Sequence, residues 1–343
     1  MKPRPCLIAC LFAASISQAA PRAPLPPEER TNGAQELGKI QPALPIVRAS
    51  AAQILSAKGR PLATAVWVGA DGYFLTKASE TPELEDCRIR WADGKSAAIR
   101  QIHRLPSLDL ALAQAIGVTG VSPAHFTATA PQPPYGQWLA APTHGGQEMR
   151  IGVISAQPRK IPGLGPAMGI RMDEKTALGG VRITGIAEDS PAAAAALEPG
   201  DILTHIGQEP ATDVRTVHEI IRRHQAGDLV TIAYLRGGSA RTARIRLASR
   251  TRIIMNWEGE DFANGGISIR TDDYPRILQH DLPLAPQDMG GALFDLTGQA
   301  IGINIARVDR VTTFALPASA FWPQIQPLIQ ADRHPPKALP AAP

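Results

Sequence analysis

Thiols are almost absent. Of three cysteines in 343 residues, Cys6 and Cys10 fall within the first ten positions and Cys87 is the only one further on. With the leader described below removed, no disulfide can form within the chain, and stability has to come from packing. Cys87 sits in a strand-like run and reads as a small core residue rather than a reactive thiol. Aromatic residues make up only 5% of the chain, while Gly (30) and Pro (32) are plentiful, a mix that favours many short strands and turns. There is no HExxH and no clustered Cys/His spacing, so neither a metal site nor a cofactor is indicated. Beyond the leader, no stretch approaches the roughly 18–20 apolar residues of a membrane helix, and no membrane span is expected. Basic residues are scattered. The tightest group, Arg222-Arg223-His224, reads as a solvated helix face, which argues against nucleic acid as a partner.

What is present is a chain that can bury sizeable cores, with 44% hydrophobic and 19% charged residues, long enough for two or three domains. Met1-Lys2-Pro3-Arg4 precedes the apolar CLIACLFAASIS and small residues at Ser17 and Ala19. That pattern predicts a signal peptide over 1–20, cleaved near Ala19 or Ala20, and a secreted or periplasmic, soluble protein. Leu7-Ile8-Ala9-Cys10 also has the form of a lipoprotein box, though cleavage there would leave a hydrophobic region of only a few residues. Removing Lys2 and Arg4 from 35 basic residues against 31 acidic ones leaves a net charge of about +2.

From 21 to 45 the sequence is rich in Pro, Ala and charge and reads as a linker. A helix-like stretch, Ile46 to Ala57, follows. Then come strand-like runs (ATAVWVG, YFLT, CRIRWA, AAIRQIHR, DLALAQAI) separated by Asp71-Gly72 and Asp93-Gly94. The β pattern continues to Ser155, the composition changes over Pro158 to Gly169, and a self-contained strand and helix pattern fills 179–247. Its second helix is expected over Val214 to His224. From Arg250 the β pattern resumes to Pro317. The predicted divisions are a first body segment at 46–157, a module at 160–250, a second body segment at 251–330 and a disordered tail at 331–343.

The run GVRITGIAEDSPAAAAALEPGD, Gly180 to Asp201, resembles a PDZ domain, with Ala196 where a Gly is usual. The resemblance implies a groove between a strand edge and a helix, in which an extended peptide adds a strand and rests its terminal carboxylate on loop amides. It places the carboxylate loop and binding strand at Ala167, Met168, Gly169 and Ile170, with Val217 and Ile221 facing the groove from the second helix. Those two are equally well read as core residues one helical turn apart. Gly163-Leu164-Gly165 lacks the preceding strand and following Lys-Ser/Thr of a phosphate cradle.

The flanking segments, about 46–157 and 265–317, resemble the HtrA/Deg family of trypsin-like serine proteases, which carry PDZ domains. Asp71-Gly72-Tyr73-Phe74-Leu75-Thr76-Lys77-Ala78-Ser79-Glu80 matches the family's base motif with Ser79 at the His position. Asp109-Leu110-Ala111-Leu112 matches its Asp motif. Gln287-Asp288-Met289-Gly290-Gly291-Ala292-Leu293, followed by Gly298 to Asn304, matches its nucleophile motif with Met289 at the Ser position. The implied fold is mainly β, a trypsin-like double β-barrel, with the α+β PDZ domain inserted within the body rather than following it.

A thioether has no proton to lose, and a Ser hydroxyl is far too weak a base to replace imidazole. The triad-equivalent positions Ser79, Asp109 and Met289 therefore imply no intact catalytic site, Asp109 reading as a structural carboxylate. His280, nearest in sequence to the altered nucleophile loop, is the candidate for a relocated base. The expected function is an exported pseudoprotease that binds polypeptide C-termini or unfolded segments as an adaptor, sensor or holding factor. The alternatives are an active serine-type endopeptidase using other residues and a structural unit of a homo-oligomer.

Overall fold

Asp-Gly and Gly turns close short strands of the chain into barrels. The computed structural model describes residues 41–81, 83–91, 94–129, 132–175, 179–255 and 266–335, with Pro26 and Gly38 besides. The expected leader, most of the expected linker and the end of the expected tail lie outside the described residues.

The helix expected over 46–57 is confined to Leu44–Ala49 (α1), and Ala51–Leu55 is a strand (β1). All five β1 residues are buried and the strand is paired on both edges. Two ladders and full burial outweigh the local helix preference of its alanines. With β2 (Pro61–Trp67), β3 (Tyr73–Lys77), β4 (Arg88–Trp91), β5 (Ser96–Leu105) and β6 (Leu110–Ala115) it closes a six-stranded antiparallel barrel in the order β1-β2-β3-β6-β5-β4. Trp67 fills its centre, meeting Phe74 and Trp91 edge to face at 5.8 and 5.7 Å.

The chain then forms β7 (Trp138–Thr143) and β8 (Glu148–Ile161) and leaves for a separate sheet. There β9 (Pro166–Ala167), β10 (Ile170–Lys175) and β11 (Val181–Ile186) precede α2 (Pro191–Ala194), and β12 (Ile202–Ile206) and β13 (Glu209–Pro210) precede α3 (Val214–Ile221). The unit ends with β14 (Leu229–Arg236), β15 (Ser239–Arg246), β16 (Ala248–Ser249) and α4 (Arg250–Met255). Sheet order is β10-β11-β12-β14-β15, with β13 beside β12. Ser190 and Asp213 cap the two inner helices, their side chains accepting from Ala193 N–H at 3.2 Å and Thr216 N–H at 2.8 Å. The unit has its own core, built around Val181, Ile183, Leu203, Val217, Ile232 and Ile245.

Strands β17 (Tyr274–His280), β18 (Ala292–Asp295), β19 (Ala300–Arg307) and β20 (Thr313–Pro317) then rejoin β7 and β8 in a second closed barrel, ordered β17-β20-β19-β18-β7-β8. The fold is thus mainly β, as expected. A final helix, α5 (Ala318–Arg333), runs into the expected tail. Its Pro323 and Pro327 mask the helical signal, while Phe321, Ile325 and Ile329 along one face are buried. One apolar cluster joins the two barrels and α5, through Tyr73, Leu75, Leu112, Ile303, Leu316 and Phe321. Asp332 seals that junction by accepting from the Tyr73 hydroxyl at 2.6 Å and from Arg100 at 2.7 Å.

Ala196, which ends α2 where the PDZ pattern has Gly, adopts φ 54°, a left-handed conformation that penalises a Cβ. Ala196→Gly is expected to raise the unfolding free energy by about 0.5–1 kcal/mol, measured by urea denaturation. An unchanged or lowered midpoint would show that the strain is not borne there.

Candidate functional site

Asp109 stands in the left-handed region at φ 57°, just ahead of β6, and is 3% exposed. Ser79 is held to it twice. The Ser79 N–H donates to Oδ1 at 2.7 Å, and the Ser79 hydroxyl donates to Oδ2 at 2.8 Å. The Tyr274 hydroxyl lies 3.2 Å from the same Oδ2 and 3.1 Å from Arg270 O, its one proton shared between these acceptors, and Lys77 Nζ lies 3.7 Å from Oδ2. Lys77, fully buried, also donates to Arg270 O at 3.1 Å and to Glu80 Oε1 at 3.4 Å. Burial, foremost, and the neighbouring Asp109 charge drive the Tyr274 pKa well above its usual value, so this hydroxyl is a donor at any ordinary pH. Every oxygen of Asp109 is therefore engaged by groups of the chain itself.

Met289 backs onto the same region by its main chain. Its carbonyl accepts from Thr64 N–H at 2.9 Å, and Gly290, at φ 92°, is pressed against Thr64 O and Lys77 N so closely that a Cβ would not fit. The Met289 side chain is elsewhere: 0% exposed, it packs with Leu139, Ile154, Leu278, Leu284 and Leu293 inside the second barrel. The Met289 N–H closes a turn onto Pro286 O at 3.2 Å. His280 is likewise buried in that barrel. Leu282 N–H donates to its Nδ1 at 3.3 Å, which leaves Nε2 as the donor to Asn304 Oδ1 at 2.8 Å. Burial lowers its pKa to about 4, so it is neutral, and its partners are Asn304 and Leu282 rather than Asp109.

The space above Ser79 and Asp109 is a pocket of about 430 Å3 whose far wall belongs to the separate sheet unit. Gln225, Ala226, Gly227 and Asp228, the turn from α3 to β14, line it with Arg104, Arg244 and Arg270. Gly227, at φ 99°, comes so close that a Cβ there would lie 2.6 Å from Ser79 Cβ. Arg244 of β15 is paired with Glu83. The Arg270 guanidinium donates to the carbonyls of Pro106, Ser107 and Asp273 and stacks 4.7 Å over the Tyr274 ring. Sequence reasoning did not find Lys77, Tyr274, Arg270 or Gly227 as parts of this site. Lys77 lies inside the base motif but nothing there marks it as a neighbour of Asp109, Tyr274 lies outside every motif, and Gly227 is brought in by tertiary packing alone.

β10 and α3 pack together in the core of the unit, through Ile170, Met172, Val217 and Ile221. Ala187 N–H donates to Gly169 O at 2.9 Å and Ala192 N–H to Met168 O at 2.9 Å. Gly169 takes φ 83°, and a Cβ there would strike Ser190. Val217 is 0% and Ile221 4% exposed, both within the unit's core, so the expectation that they face an open groove gives way to the core reading. At i, i+4 spacing the same helix offers Val214, half-buried, and His218, exposed. Ile170 and Met172 are half-buried on β10, and Ala167 is half-buried just before the turn. Among the described residues no helix is long and apolar enough to cross a membrane, and no group of three or more His, Cys, Asp or Glu is placed to hold a metal.

Removing the Asp109 carboxylate would leave the buried Ser79 N–H and hydroxyl short of an acceptor and the Lys77 ammonium with Glu80 alone as a neighbouring counter-charge, while Tyr274 keeps Arg270 O. Asp109→Ala is expected to cost about 3–5 kcal/mol of folding stability. Asp109→Asn, which tolerates the same backbone and keeps one acceptor, should cost markedly less. Urea unfolding measures both, and a stability unchanged in Asp109→Ala would remove its structural role.

The PDZ domain family (PDZ_2) matches residues 166–247. Among curated proteins, a "Serine protease Do-like HtrA" of Lactococcus lactis subsp. lactis (strain IL1403) is 30% identical over 101 residues, covering 25% of this chain and 25% of that protein. The counterpart in Lactococcus lactis subsp. cremoris (strain MG1363) matches to the same extent. The chain thus spans about a quarter of the length of the curated relatives it matches. Among solved structures, an HtrA-type protease AlgW with decapeptide is 17% identical, covering 62% of this chain and 98% of that one at a TM-score of 0.31. A serine endoprotease from Yersinia pestis is 16% identical, covering 61% and 97%, also at 0.31. Residues 166–247 form a PDZ domain, and the chain has HtrA serine proteases among its homologues.

Proposed function

We propose that this chain is an exported, PDZ-containing pseudoprotease, secreted or periplasmic, that binds extended or C-terminal peptides without cleaving them and serves as an adaptor, sensor or holding factor. In this reading the PDZ domain is inserted within a protease-like body whose triad positions are Ser79, Asp109 and Met289. The observation that carries it is the pair of hydrogen bonds from Ser79 to Asp109: the hydroxyl occupies the acceptor that an imidazole would need. A hydroxyl bound that way accepts no proton from a nucleophile, and the Met289 thioether, buried among aliphatic side chains, has no proton to give up. Loss of the nucleophile alone costs about 10⁶ in turnover in a serine protease. The turn at Gly227, seated on Ser79, further narrows the space in which a scissile peptide would lie.

The full-length protein is expected neither to react with a fluorophosphonate probe nor to release fluorescence from labelled casein, while a diverse peptide library yields ligands. Probe labelling abolished by substituting a single Ser would establish an active endopeptidase instead. Failure to bind any peptide would remove the adaptor reading.

A further inference from the structure

Strand β15 is an edge of the PDZ sheet, and Arg244 and Arg246, two residues apart, leave it on the same side, towards the first barrel. Only Arg244 finds a carboxylate there, Glu83. Arg246 is half-buried, and its side chain has no hydrogen bond or ion pair among the described residues. Burial, foremost, lowers its pKa, opposed by Glu80 and Glu83 and assisted by the charges of Arg104 and Arg60. Both carboxylates are already engaged, Glu83 by Arg244 and Glu80 by Lys77 and the Ile269 N–H. A guanidinium held partly out of water without an acceptor is costly, and an anion brought by a ligand would relieve that cost.

Arg246 lines a cavity of about 780 Å3 between the PDZ domain and the first barrel. The turn from β1 to β2 forms another wall. It is closed by Ser56 N–H to Arg60 O at 2.9 Å, Gly59 N–H to Ser56 O at 2.8 Å and Arg60 N–H to Ser56 Oγ at 3.1 Å. This fixed turn presents Lys58 and Arg60, both exposed and neither with a side-chain partner among the described residues. Asp86, the remaining acidic group of the lining, is exposed and in no ion pair among the described residues. Leu62, Ala57 and Cys87 supply apolar surface beside these charges. The Cys87 thiol donates to Glu83 O at 3.3 Å, and burial, foremost, raises its pKa, so it stays protonated near neutral pH.

We propose that this cavity binds a phosphate monoester carrying an apolar group, with the phosphate on Arg246, Arg60 and Lys58 and the apolar group against Leu62 and Ala57. Charge favours phosphate over carboxylate. Three cations beside the unpaired Asp86 leave a surplus of about two charges, which a phosphate dianion neutralises and a carboxylate only halves. Size favours the apolar extension, because a bare phosphate would leave most of the 780 Å3 unfilled. The site lies outside the peptide-binding reading above and stands or falls without it.

The test is isothermal titration calorimetry of the full-length protein with octyl phosphate below its micelle-forming concentration, with octanoate and with inorganic phosphate. Octyl phosphate is expected to bind at a single site, at least about ten-fold tighter than inorganic phosphate and about three-fold tighter than octanoate. Arg246→Met, which keeps the packing of the stem and removes the charge, should weaken octyl phosphate about ten-fold. Its thermal transition should lie no lower than that of the wild type, since the charge removed is unpaired. Arg60→Ala, on the exposed turn, should weaken octyl phosphate about five-fold and gives the same reading should Arg246→Met be unstable. Leu62→Ala should weaken octyl phosphate and leave inorganic phosphate unchanged, and Arg215→Ala, on the exposed side of α3, should change neither. Failure of octyl phosphate to bind, binding that Arg246→Met and Arg60→Ala leave unchanged, or octanoate or inorganic phosphate bound as tightly as octyl phosphate overturns the proposal.

Discussion

The cleft between the barrels is organised around one buried carboxylate. Asp109 takes two bonds from Ser79, a contact from the Tyr274 hydroxyl and the charge of Lys77. Lys77 ends β3 and Ser79 follows it, Tyr274 begins β17, and Arg270, whose carbonyl holds Lys77, stacks on Tyr274. Lys77 is buried between two carboxylates, Glu80 and Asp109, and loss of either would leave its charge less compensated. The same group therefore ties the first barrel to the chain returning from the PDZ domain. In such a setting the carboxylate orients structure.

The route of the chain reinforces that tie. Because β7 and β8 precede the PDZ domain and β17 to β20 follow it in one closed barrel, the domain is anchored at both ends. It also reaches across to the first barrel, through Gly227 against Ser79 and Arg244 against Glu83. The turn that touches Ser79 follows α3 in the chain.

Much of the architecture was readable because its signals are local. Asp71-Gly72 and the alternating runs around it mark β2, β3 and their neighbours, and the Ser-Pro opening of α2 marks the PDZ domain with Ala196 as its one departure. Where the reading failed, non-local forces decided. Ala51–Leu55 is helix-like by composition and becomes a strand because two ladders bury it. Helix α5 carries two prolines and is held by the burial of Phe321, Ile325 and Ile329. At the site, motif spacing singled out Ser79, Asp109 and Met289, of which the structure brings Ser79 and Asp109 together; that the Met289 side chain turns into the barrel core and that Gly227 closes on Ser79 had no local signal. Val217 was one of two readings at helical spacing, and only packing could choose the core.

In the pseudoprotease reading proposed above, the site is rebuilt and not merely short of two side chains. The most direct measurement is casein hydrolysis by the full-length Ser79→His, Met289→Ser double variant, with folding checked by its thermal transition. The account predicts a folded protein that remains without activity, because Gly227 crowds position 79 and side chain 289 lies in the second barrel's core. Cleavage restored by these two substitutions would contradict it.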